Sequence, residues 1–161
     1  MYATLEQFLQ YEPDMTADDY NKYSWSATKW VDNVTTGIDG VKKLRVAFPS
    51  DEASAETVSR CFCAVIRALK EVDDARAAQA SASGYISTEN GFQPAAVKSI
   101  SAGGESITFG TDATSDLAKA ASSMSGMKSY INGIVDNYLR GVQDDNGVNL
   151  LFGGFYPYEV E

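Results

Sequence analysis

Seven apolar residues, Val58, Cys61, Phe62, Val65, Ile66, Leu69 and Val72, recur at i, i+3, i+4, i+7, i+8, i+11 and i+14 without a break. A helix of 3.6 residues per turn brings such a series onto one face, whereas a strand scatters it over both. The stripe predicts a long central core helix, with Ser54 as its expected cap. From Asp73 to Ser83 the sequence turns to alanine, serine and polar residues with no apolar face, so the helix is expected to fray into a linker there. Cys61 and Cys63 lie two apart on this helix and point about 200° apart around its axis. They cannot bond each other and read as small buried or half-buried thiols.

The flanking helices announce themselves by their caps. Thr4 and Gln7 form a capping box for a helix over about 4–11, Pro13 stops it, and Thr16 with Asp19 opens a second. That second helix places Tyr20, Tyr23, Ala27, Trp30, Val31 and Val34 on a core stripe and Asp18, Lys22, Lys29 and Asp32 on its other faces. Gly37 and Gly40 end it, and Val41 to Phe48 reads as a loop or short extended piece carrying a basic cluster, Lys42, Lys43 and Arg45, which is either a solvated loop or edge or a contact for an acidic partner. A last helix starts near Asp112 or Thr114, with Leu117, Ala120, Met124, Met127, Ile131, Ile134 and Tyr138 on one face. Gly126 and Gly133 weaken it by roughly 1 kcal/mol each relative to alanine and suit close helix approach.

Between the helices the chemistry changes. Gly84, Ser87, Thr88, Asn90, Gly91 and Pro94 read as loop. A Gly103-Gly104 turn then predicts a β-hairpin pairing Ala102 with Glu105, Ile100 with Ile107 and Lys98 with Phe109. A lone two-stranded hairpin is marginal in water, so Ile100, Ile107 and Phe109 need a partner. After Gly141 a polar turn, Gln143 to Gly147, leads into a terminus rich in Leu, Phe and Tyr. Its Gly153, Gly154 and Pro157 favour an extended arm docking onto another subunit over a segment folded back on its own core.

The expected fold is mainly α: a single domain over 1–161, with a small bundle of about four helices from 1–80 and 112–141. A loop and one protruding β-hairpin occupy 81–111, and an extended C-terminal tail occupies 142–161. The absence of a long apolar stretch and of a signal-peptide pattern predicts a soluble protein made in the cytoplasm, with no membrane partner.

Charge and residue inventory narrow the function. A formal net charge of −9 makes a field that repels phosphate backbones, against ordinary nucleic-acid binding. The sequence has no histidine, which removes the commonest general base, metal ligand and triad member. The acidic pairs Asp18–Asp19, Asp73–Asp74 and Asp144–Asp145 are sequence neighbours that do not face each other on a helix, and no phosphate-binding loop accompanies them. No catalytic, cofactor-binding or metal-binding residue is expected, and the chain reads as a non-enzymatic assembly protein.

The order of the pieces is more specific than any one of them. The chain opens Ala3-Thr4-Leu5-Glu6-Gln7-Phe8, and its second helix closes with Trp30-Val31-Asp32-Asn33-Val34-Thr35. The core helix carries Cys61-Phe62-Cys63-Ala64-Val65, and the hairpin reads Val97-Lys98-Ser99-Ile100-Ser101-Ala102-Gly103 then Ser106-Ile107-Thr108-Phe109. Tyr138-Leu139 leads to Leu150-Leu151-Phe152-Gly153-Gly154. From nearly the first residue to the last, this resembles the head-tail connector (adaptor) proteins of long-tailed bacteriophages. It departs from them in the extra residues Gln143 to Asn146, in Phe152 where the family usually has Tyr, in Gly153 where Arg is common, and in a longer Gln79–Pro94 segment.

The resemblance implies a virion protein of the neck: a homo-oligomeric ring, commonly a dodecamer, between the portal protein and a head-closure or tail protein. DNA passes through its lumen without specific binding, which a negative wall favours. It implies portal or ring contacts at Leu150, Leu151, Phe152 and Phe155, and hairpin contacts at Ile100, Gly103, Gly104, Ile107 and Phe109. The alternatives are another neck ring, such as a head-closure or tail-terminus protein, and a helical binding module outside any virion.

Overall fold

The computed structural model describes residues 1–81, 83–88, 91–96, 99–102, 105–108 and 116–158, with side chains over 1–78 and 116–158. Among these residues the chain is mainly helical. Its elements are α1 (Leu5–Tyr11), α2 (Ala17–Thr35), α3 (Lys43–Val46), α4 (Glu52–Ser81), β1 (Ser83–Thr88), β2 (Gly91–Ala96), β3 (Ser99–Ala102), β4 (Glu105–Thr108), α5 (Asp116–Ser122) and α6 (Met124–Leu139). The chain divides into two compact units, Met1–Lys70 with Ser129–Glu161, and Glu71–Lys128.

In the first unit the caps work as their chemistry requires. The Thr4 hydroxyl accepts from Gln7 N–H at 3.2 Å while Gln7 Oε1 accepts from Thr4 N–H at 2.9 Å, and Thr16 and Asp19 repeat the exchange for α2. α4 is capped one turn earlier than its sequence indicates, because Asp51 Oδ1 takes Ser54 N–H at 2.8 Å. The whole stripe from Val58 to Val72 is buried, together with both free cysteines. Burial pushes each thiol up to about 12, so neither is a thiolate at neutral pH. The unit also buries Phe8 and Tyr20, tilted at 5.4 Å between centroids, and Val31, Leu44, Ile131, Val135, Leu139 and Leu150.

Three local expectations are corrected here. Residues 43–46 form a helical turn rather than a loop, with Lys43 and Leu44 buried. Asp32, assigned to a solvated face, is fully buried: it accepts from the Tyr2 hydroxyl, and from Arg45 through Nε at 2.8 Å and Nη2 at 2.6 Å. A carboxylate is tolerated inside because its lone pairs are matched by donors. Trp30 and Val34 are only half-buried, and Ser24, Thr28 and Thr35 complete the inner face of α2 instead.

In the second unit α4 continues to Ser81 where fraying is expected. Ala75, Ala77, Ala78 and Ala80 are the best helix formers, so propensity favours continued helix where the apolar face has ended. Arg76 adds a tie, donating through Nε to the Ala121 carbonyl at 3.1 Å.

Of the segment 84–96, expected as loop, residues 84–88 and 91–96 belong to the antiparallel pair β1–β2, which runs from Ser83↔Ala96 to Thr88↔Gly91. Tyr85, Ile86 and Phe92 favour strand, and a two-stranded pair has only edges, where Pro94 is tolerated. β3 and β4 pair in the register Ser99↔Thr108, Ile100↔Ile107, Ser101↔Ser106 and Ala102↔Glu105.

The last helix is broken in two. Ser123 Oγ accepts Gly126 N–H at 3.0 Å and so caps α6. The break shifts the helical phase: Ile131, Val135 and Leu139, at spacings of four, are buried, while Met124 and Tyr138 of the expected stripe are exposed. No helix among the described residues is long and apolar enough to cross a membrane.

Candidate functional site

The C-terminal segment, expected as an extended arm, is folded back onto the first unit. Its path is set by two tight turns. Gly40, at φ +80°, closes the turn after α2 with its N–H on the Gly37 carbonyl at 3.0 Å. Gly147, at φ +78°, closes the turn over 143–149, where Asp144 Oδ1 accepts Asn146 N–H at 3.0 Å and Val148 N–H at 2.8 Å. Asp144 N–H bonds the Val148 carbonyl at 2.8 Å and Leu150 N–H the Val142 carbonyl at 2.9 Å. The chain therefore leaves α6, reverses, and runs beside the 37–40 turn.

Three polar side chains hold it there. Lys43 is only 1% exposed, and its ammonium donates to the Thr35 carbonyl at 3.2 Å, the Leu150 carbonyl at 3.1 Å and the Phe152 carbonyl. All three protons of a lysine are thereby matched. Desolvation lowers its pKa against the opposing pull of Asp144 and Asp39. The Asp39 carboxylate accepts the Tyr156 and Val41 N–H groups, which hold its carboxyl below the usual range. Buried Asp144 accepts the Tyr156 hydroxyl at 2.6 Å. Ile38 N–H bonds the Gly153 carbonyl at 3.1 Å, and a Cβ on Gly37 would stand 2.6 Å from the Gly154 carbonyl oxygen, so the close approach requires glycine.

What this clip presents outward is aromatic and aliphatic. Phe155 is 74% exposed, Ile38 72%, Tyr158 51% and Phe152 49%. Leu150 points the other way and is fully buried, so its expected role as a portal or ring contact is corrected: it is a core residue. Leu151 is half-buried, with its N–H on Asn149 Oδ1 at 2.8 Å. Of the expected hairpin contacts, Ile100 and Ile107 are paired in β3–β4, while Gly103, Gly104 and Phe109 lie outside the described residues.

The basic cluster is likewise revised. Lys43 is buried, whereas Arg45 remains half-exposed and reaches from the surface to buried Asp32. The buried Lys43 amine is saturated by carbonyls. No group of three His, Cys, Asp or Glu side chains able to hold a metal occurs among the described residues.

Sequence reading missed Lys43, Asp39, Asp144 and Tyr156 as the holding residues. One signal was present, Lys43 next to Leu44 in a segment that also carries Val46, Ala47 and Phe48, but two of its three carbonyl partners lie more than a hundred residues away. No family model, curated protein or solved structure matches this chain.

Proposed function

We propose that this chain is a structural subunit of a virion neck, forming the head-tail connector ring that joins portal to tail. One observation carries the reading: large side chains, Phe152, Phe155 and Tyr158, are left exposed on a backbone that Lys43, Asp39 and Asp144 hold in place. A clipped backbone loses little conformational entropy when a partner covers it, and aromatic groups of this size are the usual anchors of interfaces. The connector resemblance supplies the partner classes: the portal protein on this surface, a head-closure or tail protein opposite, and further copies of the chain around a DNA lumen. The β3–β4 pair, with Ile100, Gly103, Gly104, Ile107 and Phe109, is the second contact. The net charge of −9 supports a wall that lets DNA pass without holding it.

The test is to mix the chain with a portal ring and follow it by light scattering and negative-stain imaging. The native chain is expected to give rings with a central hole. Phe152→Ser with Phe155→Ser should lose docking while melting within about 3 °C of the parent, because both side chains are exposed. A chain that stays monomeric beside both portal and tail-side proteins overturns the reading.

A further inference from the structure

In the first unit, and apart from the C-terminal clip, an open groove of ≈ 980 Å³ runs between the N-terminal segment and the first turns of α4. This is the upper end of the roughly 300–1,000 Å³ that ligand sites occupy. Tyr2, Tyr11, Tyr20 and Phe48 line it, Glu52 and Glu56 stand at its edge, and no lysine or arginine contributes to its wall. The Tyr2 and Phe48 rings lie parallel, 6.0 Å between centroids and 6° apart. Aromatic faces are electronegative, so the groove offers ring faces and carboxylates together.

The chain already shows what this surface attracts. The Arg60 guanidinium sits 4.3 Å from the centroid of Tyr11 and bonds Glu56 Oε1 through Nη2 at 2.7 Å and Nε at 2.9 Å. Arg60 satisfies Glu56. Glu52, one turn earlier, has no ion-pair partner among the described residues.

We infer that the groove binds a short extended segment of a partner protein carrying an arginine or lysine, with the cationic head between Glu52 and the aromatic walls. The volume exceeds what one guanidinium fills, and the apolar wall suits the residues flanking it. A peptide is therefore the occupant rather than a free organic cation. This assignment stands whether or not the chain belongs to a virion neck.

The probe is acetyl-Ala-Leu-Arg-Leu-Ala-amide, titrated into the full chain and followed by amide and ring chemical shifts. Saturable shifts centred on Tyr11, Phe48 and Glu52 are expected with Kd below about 1 mM. The same peptide with neutral citrulline for arginine, and free acetyl-arginine amide, should bind about tenfold more weakly. Glu52→Gln should weaken the arginine peptide about threefold and leave the citrulline peptide unchanged. Equal binding of the two peptides, equal binding of free arginine amide, indifference to Glu52→Gln, or no saturation overturns the assignment. The citrulline comparison needs no variant and so does not depend on the folding of one.

Discussion

A buried ammonium has to find an acceptor for each proton, and Lys43 finds them in the carbonyls of Thr35, Leu150 and Phe152. One side chain thus joins the end of α2 to the C-terminal segment. Lys43→Met keeps the stem and removes the donors, leaving carbonyls that each cost about 1–3 kcal/mol when unpaired. Urea denaturation of the variant should show a loss of about 3 kcal/mol, with faster chymotryptic cleavage at Phe152. A loss below about 1 kcal/mol would mean the clip contributes nothing. Asp39 holds the same segment from outside, and its pKa is depressed by the N–H bonds of Tyr156 and Val41. A depressed carboxyl contributes stability that is present above the unfolded pKa, about 3.9, and lost as pH falls through the folded value. Between pH 6 and pH 3 the protection factor of the Tyr156 amide is expected to fall more than that of Val65. Asp39→Asn, which keeps an acceptor oxygen but cannot titrate, should flatten that difference; an unchanged fall would remove Asp39 from the clip.

At the scale of elements, the break between α5 and α6 turns on one glycine. A Cβ on Gly126 would lie 2.1 Å from the Lys119 carbonyl oxygen, a contact that backbone must move to relieve, whereas a Cβ on Gly133 meets nothing within 4 Å. Gly126→Ala should destabilise by about 2 kcal/mol through overpacking, and Gly133→Ala should stabilise by about 0.5–1 kcal/mol by helix propensity. Thermal melts of the two variants moving in the same direction would refute the distinction.

The pair also marks where sequence is informative. The capping boxes of α1 and α2 and the stripe of α4 are local or periodic, so they could be read directly. The break at Ser123 sets Gly126 against the Lys119 carbonyl, a close approach that no apolar spacing signals, so Gly126 and Gly133 look alike in sequence. The terminus shows the same limit: Leu150, Phe152 and Phe155 have one chemistry, and which is core and which is surface follows from a fold-back fixed by Lys43 and Asp39, about a hundred residues away in sequence.

For the whole molecule, the division into two units predicts unequal stability along single helices. The first unit buries Phe8, Val31, Phe62, Ile66, Ile131, Leu139 and Leu150 completely, while the described buried apolar residues of the second are Val72, Ala120 and Ala121. Buried apolar area sets most of the opening free energy, and two-stranded pairs add little by themselves. α4 belongs to both units, so its amides sample both. Native-state hydrogen exchange in low denaturant should show Val65 and Ile66 exchanging only through global unfolding. Ala77 and the paired strands should open at least about 2 kcal/mol more easily and with a smaller denaturant dependence. The final turns of α4 do not hold on their own, because a run of about ten helical residues is marginal in water without a packed face. If Val65 and Ala77 merge into one isotherm across all denaturant concentrations, the two units unfold as one and the boundary near Lys70 has no energetic meaning.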